Sequence, residues 1–351
     1  MIVPLVKDKT LRSIEDLVAA GLLPAAALAE LEPVAEQFAV GVSPPMAAVM
    51  RSGDTDGAVR RQFVPDRREL TVTPAERHDP IGDDAHSPLF GLVHRYPDRV
   101  LFKLVSVCPV YCRFCFRREM VGPEGDGAMS DEDLAAAAAY VRARPEIREV
   151  ILTGGDPLML SARRVRTVMA HLDAIPHLDI IRWHTRVPVV APERLTEDLV
   201  AAVSRSDKTV ALAVHCNHAD ELTGPAEAGL RALRRAGVML LSQTVLLKGI
   251  NDSVPALETL MRAFLRLGVL PYYLHHGDLA KGTSHFRTTL AEGLDLVEAL
   301  RGRLSGLAQP TYVLDLPGGA GKVPVTRELI AQGGARTWTG DWHAYPPGAG
   351  S

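Results

Sequence analysis

The sequence predicts an α/β fold: a partial barrel of six strand–helix units, with a helical extension before it and a short segment after it. Three observations carry that expectation. Six apolar, β-branched runs recur, at Arg99–Val107, Glu149–Thr153, Ile180–Thr185, Thr209–Val214, Leu240–Leu247 and Leu270–His275. Helical patterns follow them at Asp131–Ala143, Ser161–Leu172, Pro192–Ser204, Asp220–Ala236, Val254–Leu267 and Leu290–Leu304. The chemically unusual residues lie just after strands: cysteines after the first, Gly154-Gly155-Asp156-Pro157 after the second, Asp278 after the sixth. Alternation of this kind builds right-handed βαβ units and a parallel sheet. In a barrel, chemistry gathers at the C-terminal ends of the strands. An open doubly wound sheet is the competing layout.

Taken in order, residues 1–98 form a helical and irregular extension, with helices expected over Leu11–Leu23 and Pro24–Val40 and a Pro/Asp/Arg-rich run from Ser43 to His94. Residues 99–305 hold the barrel. Residues 306–351 form a C-terminal segment with a Gly-rich turn, followed by Trp338, Trp342 and Tyr345.

Composition bounds the function. The 351 residues carry 39 Lys+Arg against 42 Asp+Glu, and 47% are hydrophobic, so there is ample apolar surface for a core and no basic tract for nucleic acid. No run reaches the roughly 18–20 apolar residues of a membrane span, and the first residues lack a secretory pattern. A cytoplasmic protein is expected, with neither nucleic acid nor membrane as partner. Cysteine usage agrees: of Cys108, Cys112, Cys115 and Cys216, three fall within eight residues. Such clustering suits metal ligation in a reducing compartment.

Cys108-Pro-Val-Tyr-Cys112-Arg-Phe-Cys115 is a CxxxCxxC array. Three thiolates can hold three irons of a [4Fe–4S] cluster and leave the fourth without a protein ligand. Structural zinc, with Cys216 or a histidine as fourth ligand, is the alternative. The array, together with Gly154, Gly155, Asp156 and Pro157, resembles the radical S-adenosylmethionine (SAM) superfamily and implies its TIM-like partial barrel. Arg95-Tyr-Pro-Asp-Arg99, Cys108 through Arg118, His215-Cys-Asn-His218, Gln243 through Asn251, Asp278 with His285-Phe-Arg287, and Asp315 through Lys322 resemble the lysine 2,3-aminomutase family.

The resemblance implies roles, residue by residue. Cys108, Cys112 and Cys115 would hold the cluster; Gly154, Gly155, Asp156, Pro157, His215 and Gln243 would contact SAM. Lys322 would carry pyridoxal 5′-phosphate (PLP) covalently as the catalytic lysine, with Arg95, Tyr96 and Arg99 near that cofactor. Arg117 would grip the substrate carboxylate, while Asp278 and Asp315 would hold its side-chain ammonium; a bidentate guanidinium suits the first task. Two carboxylates facing one ammonium favour lysine over neutral or acidic amino acids. The implied reaction is a PLP-dependent 2,3-amino migration from L-lysine to β-lysine, with flavodoxin or ferredoxin as electron donor and a homodimer among the assemblies it allows. Other readings are a radical SAM lyase or maturase without PLP, and a zinc-stabilised binding module.

Taken singly, Lys322 could be a solvated turn lysine, and each aspartate a cap or turn residue. The glycines before Lys322 (Gly318, Gly319 and Gly321) do not make a P-loop, because Val323 follows Lys322. Cys216 reads as a small packed residue. The absence of cysteine after Cys216 breaks the pattern of long family members, which bind a structural zinc there; the layout resembles the branch that makes β-lysine for elongation factor P. His275 stands where long members tend to have a tyrosine beside the cofactor.

Overall fold

The computed structural model describes residues 9–347 except 53, 55, 56, 123, 124 and 126. The N-terminal portion contains α1 (Ile14–Ala19), α2 (Ala27–Gln37), α3 (Pro44–Ser52) and α4 (Ala58–Phe63). The last two lie in the run expected to be irregular. Buried Met46, Ala47, Val49, Val59 and Phe63 explain them: both are short helices held by packing and not by propensity.

The barrel follows as β1 (Leu92–Tyr96), β2 (Arg99–Val105), α5 (Asp131–Arg142), β3 (Glu149–Gly154), α6 (Ala162–Asp173), β4 (Ile180–Thr185), α7 (Val187–Val190), α8 (Glu197–Ser204), β5 (Thr209–His215), α9 (Gly224–Arg235), β6 (Met239–Val245), α10 (Val254–Leu267), β7 (Leu270–His275), α11 (Leu290–Arg301), β8 (Thr311–Leu316), β9 (Gly321–Pro324) and α12 (Arg327–Gln332). A small hairpin of β10 (Gly334–Arg336) and β11 (Trp342–Ala344) ends the described chain. Helix starts are set by side chains: Ser130 and Thr289 make capping boxes with Asp133 and Glu292, and Ser253 caps α10.

Among the described residues β1 to β9 form one nine-stranded sheet in sequence order. Strands β2 through β8 are parallel; β1 and β9 are antiparallel edges. The six expected strands are therefore present, with one further parallel strand. The sheet continues past both residue 98 and residue 305. Strands β8 and β9 escaped the sequence reading because no helix intervenes between them, so the βα rhythm stops. Val100, Phe102 and Leu104 of β2, Val150 and Leu152 of β3, and Val210, Leu212 and Val214 of β5 join the core shared with the helices. Alternate residues face the other way, into the barrel. Among the described residues no ladder joins β1 to β9. The gap is crossed by the Lys322 backbone N–H, which donates to Tyr96 Oη at 2.7 Å.

Candidate active site

The cluster loop leaves β2 and lies directly on the glycine turn that leaves β3. Gly155 N donates to Val105 O at 2.5 Å and Asp156 N to Val107 O at 2.9 Å. A Cβ on Gly154 would meet Val105 O at 2.4 Å, and one on Gly155 would meet Val107 O at 2.4 Å. Glycine is required here because two backbones touch. The Asp156 carboxylate is occupied within the protein: it accepts from Thr185 Oγ1 (2.6 Å), Arg186 N (2.7 Å), Leu158 N and Val187 N (both 3.0 Å). It shapes the turn and fixes the end of β4.

Cys108, Cys112 and Cys115 are half-buried on that loop. Burial, then the charge of Asp156 and the neighbouring thiols, pushes the Cys108 thiol well up; burial and Cys112 push Cys115 to about 11. Among the described residues no three Cys, His, Asp or Glu side chains converge on a position for a single ion. A donor set of three thiols fits a polynuclear cluster, in which each takes a different iron. Two buried networks hold the loop. Glu69 accepts from Arg113 at 2.6–3.1 Å and also pairs with Arg118; against burial, these cations hold its pKa down. Arg186 donates to Cys112 Sγ at 2.7 Å.

The charged residues meet inside the barrel. Asp315 on β8 stands directly opposite Lys322 on β9, and their side chains form an ion pair. Burial works to raise the Asp315 pKa, but Lys322, with His275 and Arg95 behind it, holds it below the usual carboxylate range. Asp278 has no such ion pair among the described residues: burial first, and Asp315 second, push it up to about 7. Arg95 and Arg117 share Asp83, at 2.8 Å and 2.7 Å, and Arg95 also lies 3.7 Å from Asp315. The anionic and cationic ends of one interior are thus joined through Arg95. A cavity of about 400 Å³ reaches Arg117, Lys103, Ser106, Gly154 and Gly155.

His215, at the end of β5, lies with its ring 5.7 Å from Phe114; among the described residues its Nε2 is buried without a partner, as are Nε2 of His275 and of His184. Burial drives His184 and His215 well below their ordinary pKa, and His275 to about 3, so these imidazoles are neutral. Gln243 sits beside His215 in register. His218 does not join them; it caps the turn at residues 219–221. Cys216 is fully buried, as a packed residue would be. Arg99 stays at the start of β2, stacked 3.7 Å over the Tyr96 ring and paired with Asp98.

Sequence reasoning passed over Asp83, Lys103, His184, Arg186 and Glu221. For His184 a signal existed: Arg182 and His184 are polar at alternate positions flanking apolar Ile181 and Trp183, the parity of an inward face. Asp83 carried none, since Gly82-Asp83-Asp84 reads as a solvated turn.

The comparisons agree with this geometry. The Radical SAM superfamily model matches residues 102–260, and the lysine-2,3-aminomutase model matches residues 297–340. An L-lysine 2,3-aminomutase of Fusobacterium nucleatum is 42% identical over 78% of this chain and 64% of its own length. One from Clostridium subterminale is 40% identical over 83% of this chain and 70% of its own. A glutamate 2,3-aminomutase of Clostridioides difficile is 33% identical, over 88% and 74%. The barrel, the cysteine loop on its glycine turn and the relatives covering most of the chain lead to one conclusion: the chain belongs to the lysine 2,3-aminomutase family within the radical SAM superfamily.

Proposed function

We propose that the protein is a radical SAM, PLP-dependent aminomutase that converts L-lysine to β-lysine. The observation that carries this is the pairing of Lys322 with Asp315 beside Asp278, which has no ion pair among the described residues, in the interior that also holds Arg95 and Arg117. In this reading Cys108, Cys112 and Cys115 hold the cluster, His215 and Gln243 contact SAM, Lys322 carries PLP, and Arg95, Tyr96 and Arg99 flank that cofactor. When bound, the cluster with SAM supplies a hydrogen-abstracting radical, and PLP supplies a conjugated system across which nitrogen can migrate.

The chain's own groups then divide the work. Covalent use of Nζ would remove the Lys322 ammonium from Asp315. Asp315 would then keep Arg95, 3.7 Å away, and an incoming side-chain ammonium would supply the positive charge that Lys322 gave up. Arg117 orients the carboxylate at the opposite end; its Nη2 and Nε are bound to Asp83, and its Nη1 makes only a 3.4 Å contact with Thr153. A glutamate side chain would add a third carboxylate beside Asp278 and Asp315, so lysine is favoured over the substrate named for the Clostridioides relative.

The test is anaerobic reconstitution with iron, sulfide, SAM and PLP, then product identification with a panel of lysine, ornithine, arginine and glutamate. β-Lysine from lysine alone supports the proposal; a product from glutamate, or lysine cleavage without migration, rejects it. The destination suggested by the sequence is elongation factor P. Deletion of the gene should remove a β-lysyl mass increment from that factor, and an unchanged mass would assign the product elsewhere.

A further inference from the structure

Arg186 reaches across the barrel mouth to a cysteine of the cluster loop. It follows β4, and its backbone N–H is fixed by Asp156. Its Nη1 donates to Cys112 Sγ at 2.7 Å. Its Nη2 donates to Gln62 Oε1 at 2.6 Å and Glu221 Oε2 at 2.5 Å, and the guanidinium stacks 4.5 Å over the Phe63 ring. Glu221 is itself pinned by Gln62 Nε2, Asn217 N and His218 N at 2.8–3.0 Å. The pair is withdrawn from solvent: the Arg186 side chain is 6% exposed and that of Glu221 is fully buried.

A guanidinium in this cage has lost rotational freedom and most of its water. Charge-assisted hydrogen bonds are stronger than neutral ones, and interactions weaken less with distance where water is excluded. Its Nη1 contact falls on a sulfur. An ion pair needed only for packing would be complete with Glu221, so the bond to Sγ is additional.

We propose that Arg186 is a positioning residue that raises the reduction potential of the cluster through its bond to Cys112, with Glu221 as the counter-charge that limits the effect. This rests on the reading that the three cysteines hold a [4Fe–4S] cluster. The step concerned is the gain of one electron from a one-electron reductant, [4Fe–4S]²⁺ to [4Fe–4S]⁺, with no proton transferred. Added negative charge spreads onto the thiolate sulfurs, where a fixed cation stabilises it; hydrogen bonds to sulfur are a recognised lever on such potentials.

The experiment reconstitutes parent, Arg186→Gln and Glu221→Gln proteins anaerobically and measures iron, sulfide and midpoint potential by dithionite titration with electron paramagnetic resonance detection. Arg186→Gln should keep parent iron content and show about a tenfold lower ratio of reduced to oxidised cluster at fixed potential, about 59 mV for one electron. Glu221→Gln should shift the midpoint the opposite way, which a purely structural role would not produce. An unshifted midpoint in an iron-replete Arg186→Gln protein overturns the proposal. If that variant loses iron, Glu221→Gln decides: a raised midpoint supports the proposal, and an unchanged or lowered one overturns it. Loss of iron from both variants makes the network a folding element and also overturns it. A parent that takes up no iron and sulfide would instead refute the cluster reading itself.

Discussion

Asp278 and Asp315 are chemically alike and separated by their neighbours alone. Lys322 faces Asp315 and keeps it ionised, whereas Asp278 sits at about 7 because burial and the adjacent carboxylate both oppose its charge. Below that value Asp278 holds a proton, which a bound ammonium would have to displace. Lysine affinity of the holoprotein should therefore rise with pH through the Asp278 titration and flatten once that carboxyl is ionised. Asp278→Asn should weaken binding by about 1.5–3 kcal/mol at pH 8 and abolish the acidic limb, as read by calorimetry across pH. A limb that persists in the variant assigns the titration to another group. For Lys322, borohydride reduction of the PLP-loaded protein followed by peptide mapping should place the pyridoxyl label on this residue, and Lys322→Ala should lose it while keeping parent iron content. A label on a different lysine would remove Lys322 from the role. Both aspartates and the lysine were legible in the sequence as members of an ordered motif set. Their pairing was not, because it depends on β8 and β9 lying in register.

The cluster loop and the glycine turn are separate elements that act as one. Gly154, Gly155 and Asp156 close onto the backbone at 105–107, and the Asp156 carboxylate fixes the start of α7 by bonding Arg186 N and Val187 N. Gly155→Ala would force a Cβ to within 2.4 Å of Val107 O, where backbone on both sides has no flexible side chain to yield. The expected cost is about 1–3 kcal/mol, typical of overpacking, together with displacement of the loop that bears Cys108. Iron retained after anaerobic reconstitution and desalting should fall below the parent's, and an alanine variant with full iron content would show that the loop position is not critical. The strands and helices themselves were readable from periodicity and caps: α10 has the bounds Val254–Leu267 expected from its pattern, with Ser253 before it and Gly268 in the left-handed region after it. Helices α3 and α4 were not readable, since nine and six residues amid proline and charge give little periodic signal.

At the scale of the molecule the sheet curls far enough to bring its first and last strands to hydrogen-bonding reach without joining them. Tyr96 bridges the seam by accepting from the Lys322 N–H, and Trp338 packs against the same tyrosine with ring centroids 6.3 Å apart. Tyr96→Phe should lower stability by about 0.5–1.5 kcal/mol and move the urea midpoint of Trp fluorescence downward while leaving the far-ultraviolet helical signal intact. An unchanged midpoint would mean that the ladders hold the barrel without the bridge. The sequence alone determined the βα alternation, the cysteine spacing and the ordered motifs, because strand periodicity, caps and ligand spacing are local properties of the chain. The tertiary structure decided what the charges do. Only folding brings Asp83 between Arg95 and Arg117, sets Arg186 against Cys112 Sγ and makes His218 the cap of the turn at residues 219–221. The ion pair of Arg95 with Asp83 spans 12 positions and the bond of Arg186 to Cys112 spans 74, and buried charges must find partners wherever the sheet's curvature places them.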